Sequence, residues 1–471
     1  MNGGDVMFAG TKPALAQAAL ATRAPGAAPR GWRTAASALG AFSAVALLQV
    51  SACGGNNDDA GDAFEADTAA PVTIGTTAAP NAVAAWSTVA ATTVNGTGTA
   101  TATPEEQRPN YVFDLATVHL AIYDAVMAIT GTHQPYASAL QPVQTGASQE
   151  AAVAASAYRV LQVLFPSRGA LYQGAYDSAV AAIAAGDAKT RGLALGTAAA
   201  NAVLNLRLND GRAVVLAAYV PGTAPGQFRG TNPVGIVNPY VRPFAMQNAA
   251  QFRPAGPPAL TSAAYERAFN ETKALGVNTS TSRSAEQTDT ARFHTDAPPR
   301  FWSRNLLPIA SHQATLGGAA RVMAMLWVAQ ADASIACFEA KYFYNAWRPT
   351  SAITLADTDG NSNTAPDATW TPVVPTPNHP EYPAAHGCNA GAVAEVMRVF
   401  HGTRQVSFTF DSQAVGVANT RHTFASTDAM AEELQVARIW GGMHFRFSSE
   451  DGAALGKNVA KWVMTQRFQP R

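Results

Sequence analysis

Lys341-Tyr342-Phe343-Tyr344-Asn345-Ala346-Trp347-Arg348-Pro349 closes a long stretch of helical periodicity that begins near Ser303. Lys341 and Arg348 are seven residues apart, so on one continuous helix they fall within roughly 20° of the same face, two turns apart. Both cations can then point at one anion. Pro349 disfavours helical geometry at Arg348 and is expected to stop the helix there, leaving the guanidinium at an exposed end. Taken alone, such a pair is more often a solvated helix face than a site.

Two further stretches change that balance. His379-Pro380-Glu381-Tyr382-Pro383-Ala384-Ala385-His386-Gly387 leads into a helix expected from Cys388 to Phe400. Backbone N–H groups from Ala385 onward would point out of its N-terminus, a ready anion site, with His386 beside them as a candidate proton donor or acceptor. Ala437-Arg438-Ile439-Trp440-Gly441-Gly442-Met443-His444 is the third piece. Six residues of unbroken helix would put Arg438 and His444 on different faces. Gly441-Gly442 breaks the helix and lets His444 turn back toward Arg438.

Outward from these stretches, helical periodicity dominates. It runs over Ala82 to Thr93, Tyr111 to Thr130, Gln149 to Leu164, Ala170 to Ala185, Ala188 to Leu208, Ala259 to Leu275 and Ser284 to Phe293. It resumes over Thr427 to Gly441 and Asp451 to Gln466. Only Ser407 to Phe410 tempts as a strand, so the fold reads as all-α. The Pro/Gly-rich interruption from Asn209 to Pro258 carries Tyr219, Phe228, Arg229, Tyr240 and Phe252, anchors expected to hold it down as a packed cover. A second loop, Asp357 to Pro380, separates two of the motifs.

Of 471 residues, 48% are hydrophobic, enough for a large core. Lys+Arg 32 balances Asp+Glu 32, so no basic field exists to hold a polyanion, and nucleic-acid binding is excluded as the main function. Arg23, Arg30 and Arg33 precede the apolar run Ala35 to Ala52, in the order of an export signal. The run ends in Val50-Ser51-Ala52-Cys53, which resembles the lipobox of bacterial lipoproteins. The organisation expected is a signal peptide over 1–53 with Cys53 lipidated, a flexible tether over 54–80 and one helical catalytic domain over 81–471. The protein would then be exported and lipid-anchored to the bacterial envelope, on its periplasmic or cell-surface side. Cys337 and Cys388 remain beyond the lipobox, and read equally as a disulfide of an exported chain or as two buried thiols.

The ordered pattern K-x6-R-P, P-x-x-H, R-x5-H resembles the vanadium-dependent haloperoxidase and type 2 phosphatidic acid phosphatase superfamily, its bacterial haloperoxidase-like branch most of all. The resemblance extends over roughly residues 80 to 471, including Leu115 to Ala128 with His119, Tyr123 and Asp124. It implies a helical bundle of the haloperoxidase/acid phosphatase type with long covering loops, built around vanadate or a phosphoryl group. By position it implies that Lys341, Arg348 and Arg438, with the Ala385 amide, hold the oxyanion oxygens. It makes His444 the vanadium ligand, or the nucleophile of a phosphatase. His386 becomes the acid/base group at the opposite apex. His379 matches a His of bromide-oxidising algal members and marks a candidate halide pocket.

Two positions depart from the family pattern. Ala384 replaces a serine whose hydroxyl would bond the oxyanion. Ser448 stands where an acid would orient the imidazole of His444. Glu450 and Asp451 are the acids nearest in sequence, although Ser448 with Asp451 also reads as a helix N-terminal capping pair, the preferred reading. The function implied is oxidation of a halide, bromide favoured, by hydrogen peroxide with vanadate as cofactor and a small organic acceptor. The alternatives are a metal-free acid phosphatase working through phosphohistidine, and a non-catalytic oxyanion-binding lipoprotein. The oligomeric state is not legible.

Overall fold

In a computed structural model, the structure describes residue 67 and residues 69–76, 78–95, 111–137 and 143–471. Cys53, the export signal and most of the tether lie outside these residues. The described chain opens with strand β1 (Val72–Thr73) and helices α1 (Ala82–Asn95), α2 (Tyr111–Thr130), α3 (Gln149–Leu164), α4 (Gly169–Ala181) and α5 (Asp187–Leu206). After the long loop come α6 (Ala263–Gly276), α7 (Ala285–Phe293), α8 (Pro298–Ser311), α9 (Leu316–Tyr344) and the short α10 (Pro349–Thr354). The chain ends with α11 (Ala385–His401), β2 (Val406–Asp411), β3 (Arg421–Phe424), α12 (Thr427–Trp440) and α13 (Arg446–Gln466). The all-α expectation holds in its essentials, with one small sheet added.

That sheet has the order β1-β2-β3, with β2 central, parallel to β1 and antiparallel to β3. β2 contains the Ser407 to Phe410 stretch, and its alternation turns Val406, Phe408 and Phe410 inward. Val72 pairs with Val406 and Ile74 is buried, so the folded part starts before residue 81 and the last residues assigned to the tether belong to it.

The core is built on α2 and α9, which pack against each other and are apolar nearly all round. Ser303 to Tyr344 is two helices rather than one. The break falls at His312–Thr315, where Thr315 caps α9 by accepting from the Gly318 amide. The loop between α5 and α6 is a packed cover, as expected: Phe228 and Phe244 are buried, and Asp332 of α9 accepts from the amides of Phe244, Ala245 and Met246 at 2.7, 2.8 and 2.9 Å. Tyr240 is not one of its anchors, being 57% exposed.

α11 packs along α13, and their axes come so close that a Cβ at Gly456 would collide with the Cys388 carbonyl. Cys337 of α9 and Cys388 of α11 form a disulfide with Cα atoms 6.4 Å apart, settling their pairing. α9, α11 and the turn before α13 thus form one rigid frame, and each carries one of the sequence motifs.

Candidate functional site

α9 ends four residues sooner than the Lys341–Arg348 geometry requires. Asn345 takes a left-handed conformation at its C-cap, φ 50° and ψ 40°, and its side chain accepts from the Tyr219 hydroxyl at 2.7 Å. Arg348 instead precedes Pro349, which opens α10. The two cations still converge, through a chain reversal and not through a shared helix face. Nor is Arg348 at an exposed end: it is 2% exposed, and Lys341 and Arg438 are equally buried.

Arg348 is bonded on every side. Its Nε donates to the His379 carbonyl at 2.7 Å, Nη1 to the Met443 carbonyl and to His444 Nε2 at 2.9 Å each, and Nη2 to His379 Nδ1 at 3.0 Å. Lys341 Nζ donates to the carbonyls of Pro380 and Glu381 at 2.8 and 3.0 Å. Arg438 reaches the His294 carbonyl at 3.0 Å and Met443 Sδ at 2.8 Å, so Met443 lies between the two arginines.

The Gly441-Gly442 break works as expected. α12 stops at Trp440, Gly442 adopts φ +72°, and the amides of Met443 and His444 fold back onto the Arg438 carbonyl at 3.0 and 3.3 Å. A side chain at Gly442 would also press on the Gly276 carbonyl.

His444 is held by a residue that the sequence motifs do not point to. Its Nδ1 lies 2.9 Å from Glu381 Oε1, which also accepts from the Phe445 amide at 3.0 Å. Because Nε2 accepts from Arg348, the proton sits on Nδ1 and is donated to Glu381. The orienting acid is therefore Glu381 and neither of the acids that follow His444. Glu450 pairs with Arg446, and Asp451 accepts from the Tyr382 hydroxyl at 2.6 Å. The capping pair is also corrected: α13 begins at Arg446, five residues early, placing Ser448 in its first turn with its hydroxyl donating to the Glu381 carbonyl at 3.3 Å. Glu381 sits five residues before His386 in the quoted stretch, and nothing local in the sequence marks its role.

Ala384 is the N-cap of α11 and supplies no side-chain bond, so the first-turn amides, Ala385 among them, are open to an anion. His386 is half-buried on the wall of a cavity of about 560 Å³ that Arg438 and Met443 also line. His379 is buried and serves as a partner of Arg348, not as a solvent-facing loop residue. His119, Tyr123 and Asp124 have structural roles: His119 bonds Ser87 at 3.3 Å and stacks on Trp327, Tyr123 donates to the Gln134 carbonyl, and Asp124 accepts from the amides of Tyr136 and Ala137.

The electrostatics favour an anion. Burial, then neighbouring cations, holds Lys341 well below its usual range. Burial lowers Arg348 to about 10, and burial with the charge of Arg348 lowers Arg438 to about 9. His444 and His386 are pushed well down by burial, with cations adding to it, so both rings are neutral. Among the described residues, Glu381 is the acid bonded into this group. The Nε of Arg438 is buried without a partner. Three crowded cations, an unfilled guanidinium donor and open helix-start amides fit a bound oxyanion.

Comparison with known proteins bears on this cluster. Residues 321–469 match the family model of the VCPO second helical-bundle domain. No curated protein matches the chain in sequence. Among solved structures, a bacterial vanadium-dependent iodoperoxidase is similar at TM-score 0.65 and 21% identity, over 82% of this chain and 95% of that one. The apo and holo forms of a bacterial vanadium-dependent chloroperoxidase are similar at TM-scores 0.62 and 0.60, each at 15% identity, over 78% and 79% of this chain and 94% and 95% of theirs. Residues 321–469 thus match the VCPO second helical-bundle domain, and the chain shares the fold of these bacterial vanadium-dependent haloperoxidases.

Proposed function

We propose that the protein oxidises a halide, bromide in preference to chloride, with hydrogen peroxide, using vanadate as cofactor and passing the oxidised halide to a small organic acceptor. The observation that carries this reading is the tautomer of His444: a neutral ring whose Nε2 lone pair is directed into a cluster of three buried cations while Nδ1–H is held by Glu381. A transition-metal oxyanion needs such a neutral imidazole, with a second residue fixing its orientation.

Vanadate, when bound, supplies the Lewis-acid centre that activates peroxide. Lys341, Arg348, Arg438 and the Ala385 N–H would hold its oxygens, and His444 Nε2 its metal. Arg348 Nη1, which donates to His444 Nε2, would turn that N–H to the anion. His386, neutral and facing the cavity, would accept a proton from bound peroxide. His379, bonded to Arg348 and packed on Phe338, borders the place where a halide would approach. A second cavity of about 370 Å³, lined by Trp302, Phe338, Ala385 and His386, has room for a small organic acceptor.

The non-catalytic reading loses its main support, because Glu381 fills the role left open by Ser448. Export and lipidation at Cys53 belong to the same proposal: an oxidising compartment suits the Cys337–Cys388 bridge. Mass spectrometry of the membrane fraction should find an acylated N-terminus at Cys53; a soluble chain retaining Ala52 would reject the anchor.

Calorimetric titration with orthovanadate tests the site. His444→Ala should abolish binding, whereas His386→Ala should bind as the parent does and turn over about 10²–10⁴-fold more slowly. Loss of vanadate in His386→Ala, with retention in His444→Ala, would reverse the two roles. Hydrolysis of a phosphate ester without vanadate would assign the scaffold to phosphatase chemistry.

A further inference from the structure

Beside the oxyanion cluster lies a second group of polar side chains that the proposed reaction does not use. His294 follows α7, His422 is on β3, and Glu433 is on α12, one and a half turns before Arg438. His294 Nε2 and His422 Nδ1 lie 2.9 and 2.7 Å from the same oxygen, Glu433 Oε1. The three ligand atoms lie within 4.8 Å of one another. We propose that His294, His422 and Glu433 form a binding site for a divalent cation of the zinc class, separate from the vanadate site.

The donor set selects the ion. Two imidazole nitrogens and one carboxylate suit a borderline cation such as Zn²⁺, whereas Mg²⁺ and Ca²⁺ prefer all-oxygen sites. Three protein ligands leave a fourth tetrahedral position for water.

The rings are held for this purpose by apolar packing. His422 stacks on Phe293 with centroids 3.9 Å apart and planes 10° from parallel, and His294 packs edge-on against Phe293 and Phe301. His294 is buried among these rings, with Nε2 turned to Glu433. Entry is from a cavity of about 700 Å³ whose walls include His422, Glu433, Glu286 and Asp289, together with the cation Arg421.

The three ligands come from three separate elements, so a bound cation would tie the end of α7 and β3 to α12. Arg438 is on that same helix and is bonded to the His294 carbonyl at 3.0 Å. The cation would thus brace one wall of the oxyanion cluster while lying outside it.

The test is titration of the full-length protein, without an affinity tag and after chelator treatment, with Co²⁺ followed by its visible absorption and with Zn²⁺ followed by calorimetry. One equivalent should bind with a tetrahedral Co²⁺ spectrum that Zn²⁺ abolishes, and Zn²⁺ should raise Tm. His422→Ala and Glu433→Gln should each weaken binding by more than the roughly 10–100-fold typical of an outer-shell change. The isosteric Glu433→Gln protects against confusing lost binding with lost folding, and its circular dichroism should match the parent. Absence of Co²⁺ and Zn²⁺ binding by the parent, or parent-like binding by both variants, would overturn the proposal.

Discussion

His444 Nδ1 donates to Glu381 Oε1 across 2.9 Å, with both side chains 1% exposed. The acid comes from the segment before α11 and not from the helix after the histidine. One carboxylate oxygen therefore fixes the ring tautomer and, through the Phe445 amide, the backbone turn that presents the ring. Arg348 closes the arrangement on the other ring nitrogen.

Replacement of Glu381 should separate orientation from charge. Glu381→Ala is expected to lower vanadate affinity by about 10–100-fold, the usual cost of losing an outer-shell partner. Glu381→Gln keeps an oxygen that can accept from both Nδ1–H and the Phe445 amide, and should retain most of that affinity. Calorimetry on the two variants side by side checks this; parent-like affinity in Glu381→Ala would show that the bond does not position His444.

The same residue should mark the pH dependence of stability. Burial pushes Glu381 up from 4.5 to about 7, against the pull of Arg348 and Lys341. A raised acid pKa favours the protonated folded state, so its contribution is complete below about pH 4.5 and is lost as pH rises through 7. The loss amounts to up to about 3 kcal/mol. Asp124, also raised to about 7 by burial, acts in the same direction in parent and variant alike. Urea denaturation at pH 5 and pH 8 should show a smaller fall for Glu381→Gln than for the parent; an equal fall would contradict the shift.

The fold was legible because its helices are long and strongly periodic: Tyr111–Thr130 and Gln149–Leu164 appear with the bounds read from the sequence. The motifs also met as expected, since Gly442 supplies a positive φ that a helix cannot carry. What escaped was decided by tertiary contacts. The end of α9 depends on a left-handed Asn345 held by Tyr219 from 126 residues away, and nothing local announces that bond. Glu381 reaches His444 across 63 residues, and no residue near His444 announces that contact. The same limit hid the group of His294, His422 and Glu433, which three elements bring together.

The Cys337–Cys388 bridge closes a separation of 51 residues and joins the helix of Lys341 to that of His386. In a chain-entropy description such a loop contributes about 4 kcal/mol. Cys388→Ala should therefore lower stability by an amount of that order, and reductant should lower the Tm of the parent but not of the variant. Rapid labelling of both thiols in unreduced folded protein would rule the bridge out.

Ala384 tests how far this pocket has been rebuilt around a methyl group. It is the fully buried N-cap of α11 with φ −71° and ψ 121°, where a serine hydroxyl could accept from a first-turn amide. Ala384→Ser should stabilise the fold by about 1 kcal/mol through capping. A hydroxyl turned instead toward the oxyanion would add about 1.5–3 kcal/mol of vanadate binding, roughly ten- to a hundred-fold. Thermal melts with and without vanadate distinguish the two. Lower stability together with unchanged affinity would mean that the site is specialised around alanine.

The central claim is that this cluster of cations and His444 performs vanadate-dependent halide oxidation. The most direct measurement is bromination of a phenolic dye by the purified protein, with orthovanadate titrated at fixed peroxide and bromide, in the parent and in His444→Ala. Phosphate release from a generic ester is read in the same samples. The expected result is a saturable rise in bromination with vanadate in the parent, none in His444→Ala, and no ester hydrolysis. Bromination independent of vanadate, its absence at saturating vanadate, or hydrolysis that vanadate inhibits would contradict the account.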